Sequence, residues 1–179
     1  MNNWRKFLGS SAVVVVLATT VALGTACGGQ SGQAASVKEG TLPAGATFQG
    51  VWFNPTWGEL HMVPNGNAIF ARWRSDAHGV WGEMQGAISN DVIHFTWEEH
   101  KTGAVGPGSV RKGKGYFKYV PVEAPDMPRL KGEWGLEPNE VGGGEWDCVL
   151  QKDVPPRPDK IGGDPDPTID SGWDKPIRK

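Results

Sequence analysis

Between Gly50 and Lys152, apolar and polar residues take turns with a period of two. Ile93, Phe95 and Trp97 share one face of an extended chain, and His94, Thr96 and Glu98 share the other. Gly113, Gly115, Phe117 and Tyr119 oppose Lys112, Lys114, Tyr116 and Lys118 in the same way. Trp146, Cys148 and Leu150 oppose Glu145, Asp147 and Gln151. Alternation of this kind is the imprint of strands buried on one face. It predicts eight strands, at 50–54, 57–63, 68–75, 79–87, 91–99, 112–120, 129–136 and 144–152. The separators are turn chemistry, such as Asn54-Pro55, Pro64-Asn65-Gly66-Asn67 and Gly142-Gly143-Gly144. Glycine and asparagine accept positive φ there, and proline cannot donate to a ladder. Short strands at this spacing predict an all-β, eight-stranded antiparallel up-and-down meander that closes into a small barrel over 48–152.

A second pattern lies on top of the first. Gly-x-Trp recurs at Gly50-Val51-Trp52, Gly79-Val80-Trp81, Gly132-Glu133-Trp134 and Gly144-Glu145-Trp146. A glycine on a barrel face leaves room for an indole to lie over bare backbone, and it permits tight coiling. The alternation places Trp52, Trp73, Trp97, Phe117, Tyr119, Trp134 and Trp146 inside, where they pack the core or line a ligand cavity. An eight-stranded interior is just wide enough for either. Trp57 and Trp81 fall on the outward phase, and form a surface platform for sugar or peptide unless the 121–128 loop or the tail covers them.

The flanks read differently. Arg5 and Lys6 precede an uncharged run from Phe7 to Gly24, then small residues and Cys27. This is the layout of an export signal over 1–26. The small residues before Cys27 resemble the lipobox of bacterial lipoproteins, although Leu23 stands one position early, with Gly24 in its place. The resemblance implies acylation of Cys27 and a membrane anchor; ordinary cleavage near Ala26 or Ala35 is the alternative. Gly28 after the cysteine implies, by the same resemblance, the outer membrane of the bacterial envelope. Residues 27–47, rich in Gly, Ser, Ala and Gln, read as a flexible tether. Residues 153–179, with Pro155-Pro156-Arg157-Pro158 and Asp164-Pro165-Asp166-Pro167, read as a disordered tail.

Composition narrows the function classes. Glycine (26) and proline (14) fit a turn-rich β domain. Formal charge is −2, and loss of Arg5 and Lys6 with the leader makes it −4, which offers nucleic acid no basic footprint. His61, His78, His94 and His100 show no metal-ligand spacing. Glu59, Glu83, Glu98, Glu99, Glu133 and Glu145 are strand carboxylates, most on the outward face, without a nucleophile motif nearby. Arg111, Lys112, Lys114 and Lys118 form a basic stripe, read as a solvated strand face. Cys148 alternates with core residues and reads as a buried, inert thiol. No catalytic constellation, metal site or cofactor motif is expected, and the chain reads as non-enzymatic.

Gly50-Val51-Trp52 on the first strand, eight meandering strands, and Lys152 ending the last resemble the calycin pattern of lipocalins and avidins. The resemblance implies that Trp52 packs beneath Lys152 to close the barrel, and it carries no ligand. Two functions remain open: a membrane-tethered barrel that binds a small apolar ligand or an envelope protein or glycan, and a structural accessory subunit with a solidly packed barrel. An open interior favours the first and a filled one the second.

Overall fold

The structure, a computed structural model, describes residues 32–123 and 125–162. The leader 1–26, Cys27 and the tail beyond 162 lie outside the described residues. The strands are β1 (Gly50–Asn54), β2 (Gly58–Asn65), β3 (Ala68–Ser75), β4 (Val80–Ser89), β5 (Val92–Lys101), β6 (Val110–Val120), β7 (Arg129–Leu136), β8 (Gly144–Glu145) and β9 (Cys148–Leu150). Each pairs antiparallel with the next in sequence from β1 to β7. β9 then lies between β7 and β1, and closes the ring through Trp52 opposite Leu150 and Phe53 opposite Val149.

β8 and β9 are one strand with a break. Glu133 opposes Glu145 and Leu130 opposes Cys148, so the register continues across the gap. At the gap the Asp147 carboxylate accepts the Gly132 N–H (3.2 Å), where a main-chain carbonyl would otherwise serve. The fold is therefore a closed eight-stranded antiparallel barrel, consistent with the calycin resemblance.

The inward phase is buried: Trp52, Leu60, Met62, Ala71, Trp73, Met84, Ile93, Phe95, Trp97, Phe117, Leu130, Trp146 and Cys148 form one cluster. The glycines explain how so many rings fit. Trp73 faces Gly82 across the sheet, Trp97 faces Gly113, and Phe117 faces Gly132. A Cβ on those glycines would lie 2.2, 2.4 and 2.5 Å from the respective rings. The space comes from the neighbouring strand, not from the glycine two residues earlier.

Both flanks differ from expectation. Residues 32–47 are not a loose tether but a strap laid against the barrel. Gln33 N–H donates to the Asn139 side chain (2.9 Å), Ala35 N–H to Glu140 (2.7 Å) and Gly40 N–H to Asp91 (2.6 Å). Residues 153–162 are likewise ordered against β2 and β3. Arg157 N–H donates to His61 Nδ1 (2.9 Å), and Arg72 donates to the Ile161 carbonyl (3.3 Å). A 3-10 turn spans Pro158–Lys160. Backbone hydrogen bonds to fixed partners hold segments that lack the apolar area to form a core of their own. His61, expected on a solvated face, is buried under this segment.

Candidate functional site

The barrel has two ends, and the aromatic residues are unevenly divided between them. At one end the strap turns inward and Phe48 plugs the lumen, fully buried. Trp52 Nε1–H donates to the Phe48 carbonyl (2.9 Å), and Tyr119 meets both rings edge-on at 5.8 and 6.2 Å. Lys152 lies exposed in the turn beyond β9, which ends at Leu150. The closure pair implied by the calycin resemblance is thus replaced: the indole N–H of Trp52 is satisfied by its own chain, four residues back. Asp153 in that turn has positive φ (60°), so the strand stops short of Lys152.

The other end is lined by Trp57, Trp73, Trp97, Trp134 and Trp146, with Glu99 and Arg111 beside them. Trp57 is placed by local chemistry. The Asn54 side-chain oxygen accepts the N–H groups of Thr56 (2.7 Å) and Trp57 (2.9 Å), and Gly58 takes positive φ (76°). The turn therefore folds over the barrel mouth before β2 begins. Trp57 meets Trp134 edge-on at 5.6 Å and Trp146 at 5.5 Å. It does not face outward, so it is no part of a surface platform. Trp81 is outward but covered: it stacks on His100 at 4.2 Å, and Gly162 of the ordered tail lies against its ring. The two-indole platform is absent because one ring caps the lumen and the other lies beneath the tail.

Trp146 is the hub of the cluster, with Trp73 at 5.1 Å and Phe117 at 5.5 Å, both edge-on. Edge-to-face pairs each add about 0.5–1.5 kcal/mol beyond area burial. The polar edges are less complete. Trp97 Nε1–H donates to the Lys114 carbonyl (3.1 Å). The indole N–H groups of Trp73 and Trp146, both buried, have no hydrogen-bond partner. Burial pushes the Cys148 thiol well above its usual range; the Trp146 N–H nearby opposes that rise without reaching hydrogen-bond geometry. An unmade hydrogen bond at a buried donor costs about 1–3 kcal/mol.

Glu99, one of the strand carboxylates named from the sequence, lies on the inner face and not on the outer one. It continues the inward phase of Trp97 and is 4 % exposed. Both Nε (2.9 Å) and Nη2 (2.5 Å) of Arg111 donate to its Oε1. A buried carboxylate among indoles needs such a partner. The signal was its place in the alternation, an acid where an apolar residue belongs. Two other members of the basic stripe are also engaged: Lys112 with Glu98 (2.7 Å), and Lys118 with Asp91 (2.9 Å). The hydrogen bond from Lys112, aided by its charge, holds the Glu98 carboxyl below its usual range.

The free volume among the five indoles is about 10 Å³. That holds roughly one water and no larger molecule without movement of a ring. The seven interior aromatic positions named from the sequence all face the lumen, with Trp134 only half-buried at the mouth. Trp52 and Tyr119 pack with the Phe48 plug, Phe117 lies against Phe95 and Trp146, and Trp73, Trp97, Trp134 and Trp146 gather at the mouth. Among the described residues no group of three metal-ligating side chains occurs. Comparison of the chain with family models, with curated proteins and with solved structures finds no match.

Proposed function

We propose that the chain is a lipid-anchored protein of the bacterial envelope, acylated at Cys27 in the outer membrane, with a calycin-like barrel that serves as a non-enzymatic binding module. The binding end is the indole mouth, not a central cavity. Its ligand is a compact molecule, or a group presented by an envelope protein or glycan. One observation carries this reading: Trp73 and Trp146, which line a cavity walled by indoles and bordered by the Glu99–Arg111 pair, each carry a buried N–H donor without a partner. An acceptor placed there would recover hydrogen bonds the fold leaves unmade. The ring faces would hold a sugar or a flat group by stacking. Movement of the Trp57 turn, held mainly by Asn54, would provide the room.

A second reading is favoured by a different fact. The free volume is far below the few hundred cubic ångströms of an ordinary ligand pocket, as a packed accessory barrel requires. Native mass spectrometry of the full chain, purified from its own host, separates the two. Binding at the mouth predicts a retained small molecule, or a partner lost on Trp57→Ala. Nothing retained, and partners that ignore Trp57→Ala, would leave the accessory reading standing.

A further inference from the structure

The path of the strap orients the barrel. Gly32 packs against Pro138, and the Glu140 N–H donates to the Gln33 carbonyl (2.8 Å). This loop joins β7 to β8 at the indole end. From there the strap runs outside the sheet to Asp91, at the opposite end, and enters the lumen at Phe48. Cys27 precedes Gly32 by five residues, which span at most about 18 Å when fully extended. The described part of the tail also reaches the indole end, where Gly162 meets Trp81.

The surface at that end is suited to lipid. The large apolar side chains exposed among the described residues are Phe53, Val105, Val110, Leu136 and Val154. All but Val154 sit at the indole end, so the apolar exposure is polarised along the barrel axis. Val105 stands out from an uncharged loop, Thr102-Gly103-Ala104-Val105-Gly106-Pro107-Gly108-Ser109. Two ion pairs at this end are compensated within the protein, Arg74–Asp76 (2.7 Å) and Lys112–Glu98 (2.7 Å). Such a rim meets anionic headgroups with little repulsion.

We infer that the indole end is a bilayer-facing surface, with Val105, Val110 and Leu136 seated at the boundary between headgroups and acyl chains. This rests on the reading of Cys27 as the acylated anchor. Tryptophans close to that boundary occupy the zone where indoles are most stable. A molecule that reaches the mouth then arrives from the lipid surface.

The test uses the full chain purified from membranes, in a Trp173→Phe background so that emission comes from the barrel. Its intact mass shows whether Cys27 is acylated. It is then reconstituted into phosphatidylcholine–phosphatidylglycerol vesicles whose acyl chains carry bromine near the headgroup. Tryptophan emission is expected to drop relative to unbrominated vesicles, and Val105→Glu to restore part of it. An acylated protein with unchanged emission would overturn the orientation and leave the anchor in place. Quenching indifferent to Val105→Glu would overturn the rim contact. A mass without acyl chains would remove the anchor and the inference together.

Discussion

The two ends of this barrel are closed with the same residue types and opposite chemistry. At the Phe48 end every ring is in its place by a bond or a tight contact: Trp52 donates to Phe48, and Tyr119 meets both. At the Trp57 end rings also pack edge to face, yet two buried N–H groups are unpartnered and a buried carboxylate depends on a half-exposed arginine. The first end is what stability alone would select. The second leaves hydrogen-bonding capacity unused, which stability alone does not explain. The largest test of this contrast is a pair of truncations. Phe48→Ala removes a fully buried plug and is expected to cost about 3–5 kcal/mol in urea denaturation. Trp57→Ala, half-buried over the mouth, is expected to cost about half as much. Equal costs would mean that both ends are simply core.

A finer comparison deletes the same group at both ends. Trp52 and Trp73 are each fully buried, and differ in whether the indole N–H is bonded. Trp52→Phe loses a hydrogen bond and leaves the Phe48 carbonyl unpaired, at a cost of about 2–3 kcal/mol. Trp73→Phe gives up area but also an unsatisfied donor, so a cost of about 1 kcal/mol is expected. If Trp73→Phe proves as costly as Trp52→Phe, its N–H has an acceptor in solution, and the mouth is occupied.

Most of the barrel was legible because burial of one face writes itself directly into alternation. Strand starts and ends were read to within a few residues, and the aromatic interior followed from phase. What escaped did so for physical reasons. Alternation carried back from Leu60 and Met62 puts Trp57 outside, but it does not hold through the turn, where positive φ at Gly58 resets the phase. Phe48 sits before the first strand, outside any periodic run, so nothing marked it as a plug. The strap and the tail have the composition of linkers, since their hold on the barrel comes from main-chain donors that no residue type advertises. A signal for them did exist: Val51 and Val92 lie on the outward phase, and both are fully buried. An apolar residue out of phase means that something covers it. Lys152 and Glu99 show the same limit from two sides, one credited with a partner it lacks and the other with a partner no spacing could name.

The strap ties the two ends together, and acid should loosen it at one of them. Asp91 is buried, which by itself raises its pKa, but the Gly40 N–H and the Lys118 ammonium outweigh that, and the carboxyl titrates below its usual value. A carboxyl depressed in the folded state contributes stability above its unfolded pKa, near 4, and loses it as pH falls through the lower folded value. The protection of the Gly40 amide, the slowing of its exchange relative to an unstructured amide at the same pH, is therefore expected to be high at neutral pH and to fall below about pH 4. Asp91→Asn keeps an acceptor for Gly40 but gives up the attraction to the partly exposed Lys118, a loss of about 1 kcal/mol at neutral pH. Its Gly40 amide should exchange faster than in the parent, and this added acid sensitivity should vanish. The Gln33 and Ala35 contacts at the indole end do not involve Asp91, so their amides should be unaffected. If those amides loosen together with Gly40, the strap opens as one unit, and the fastening at the Phe48 end holds the anchor side of the molecule as well.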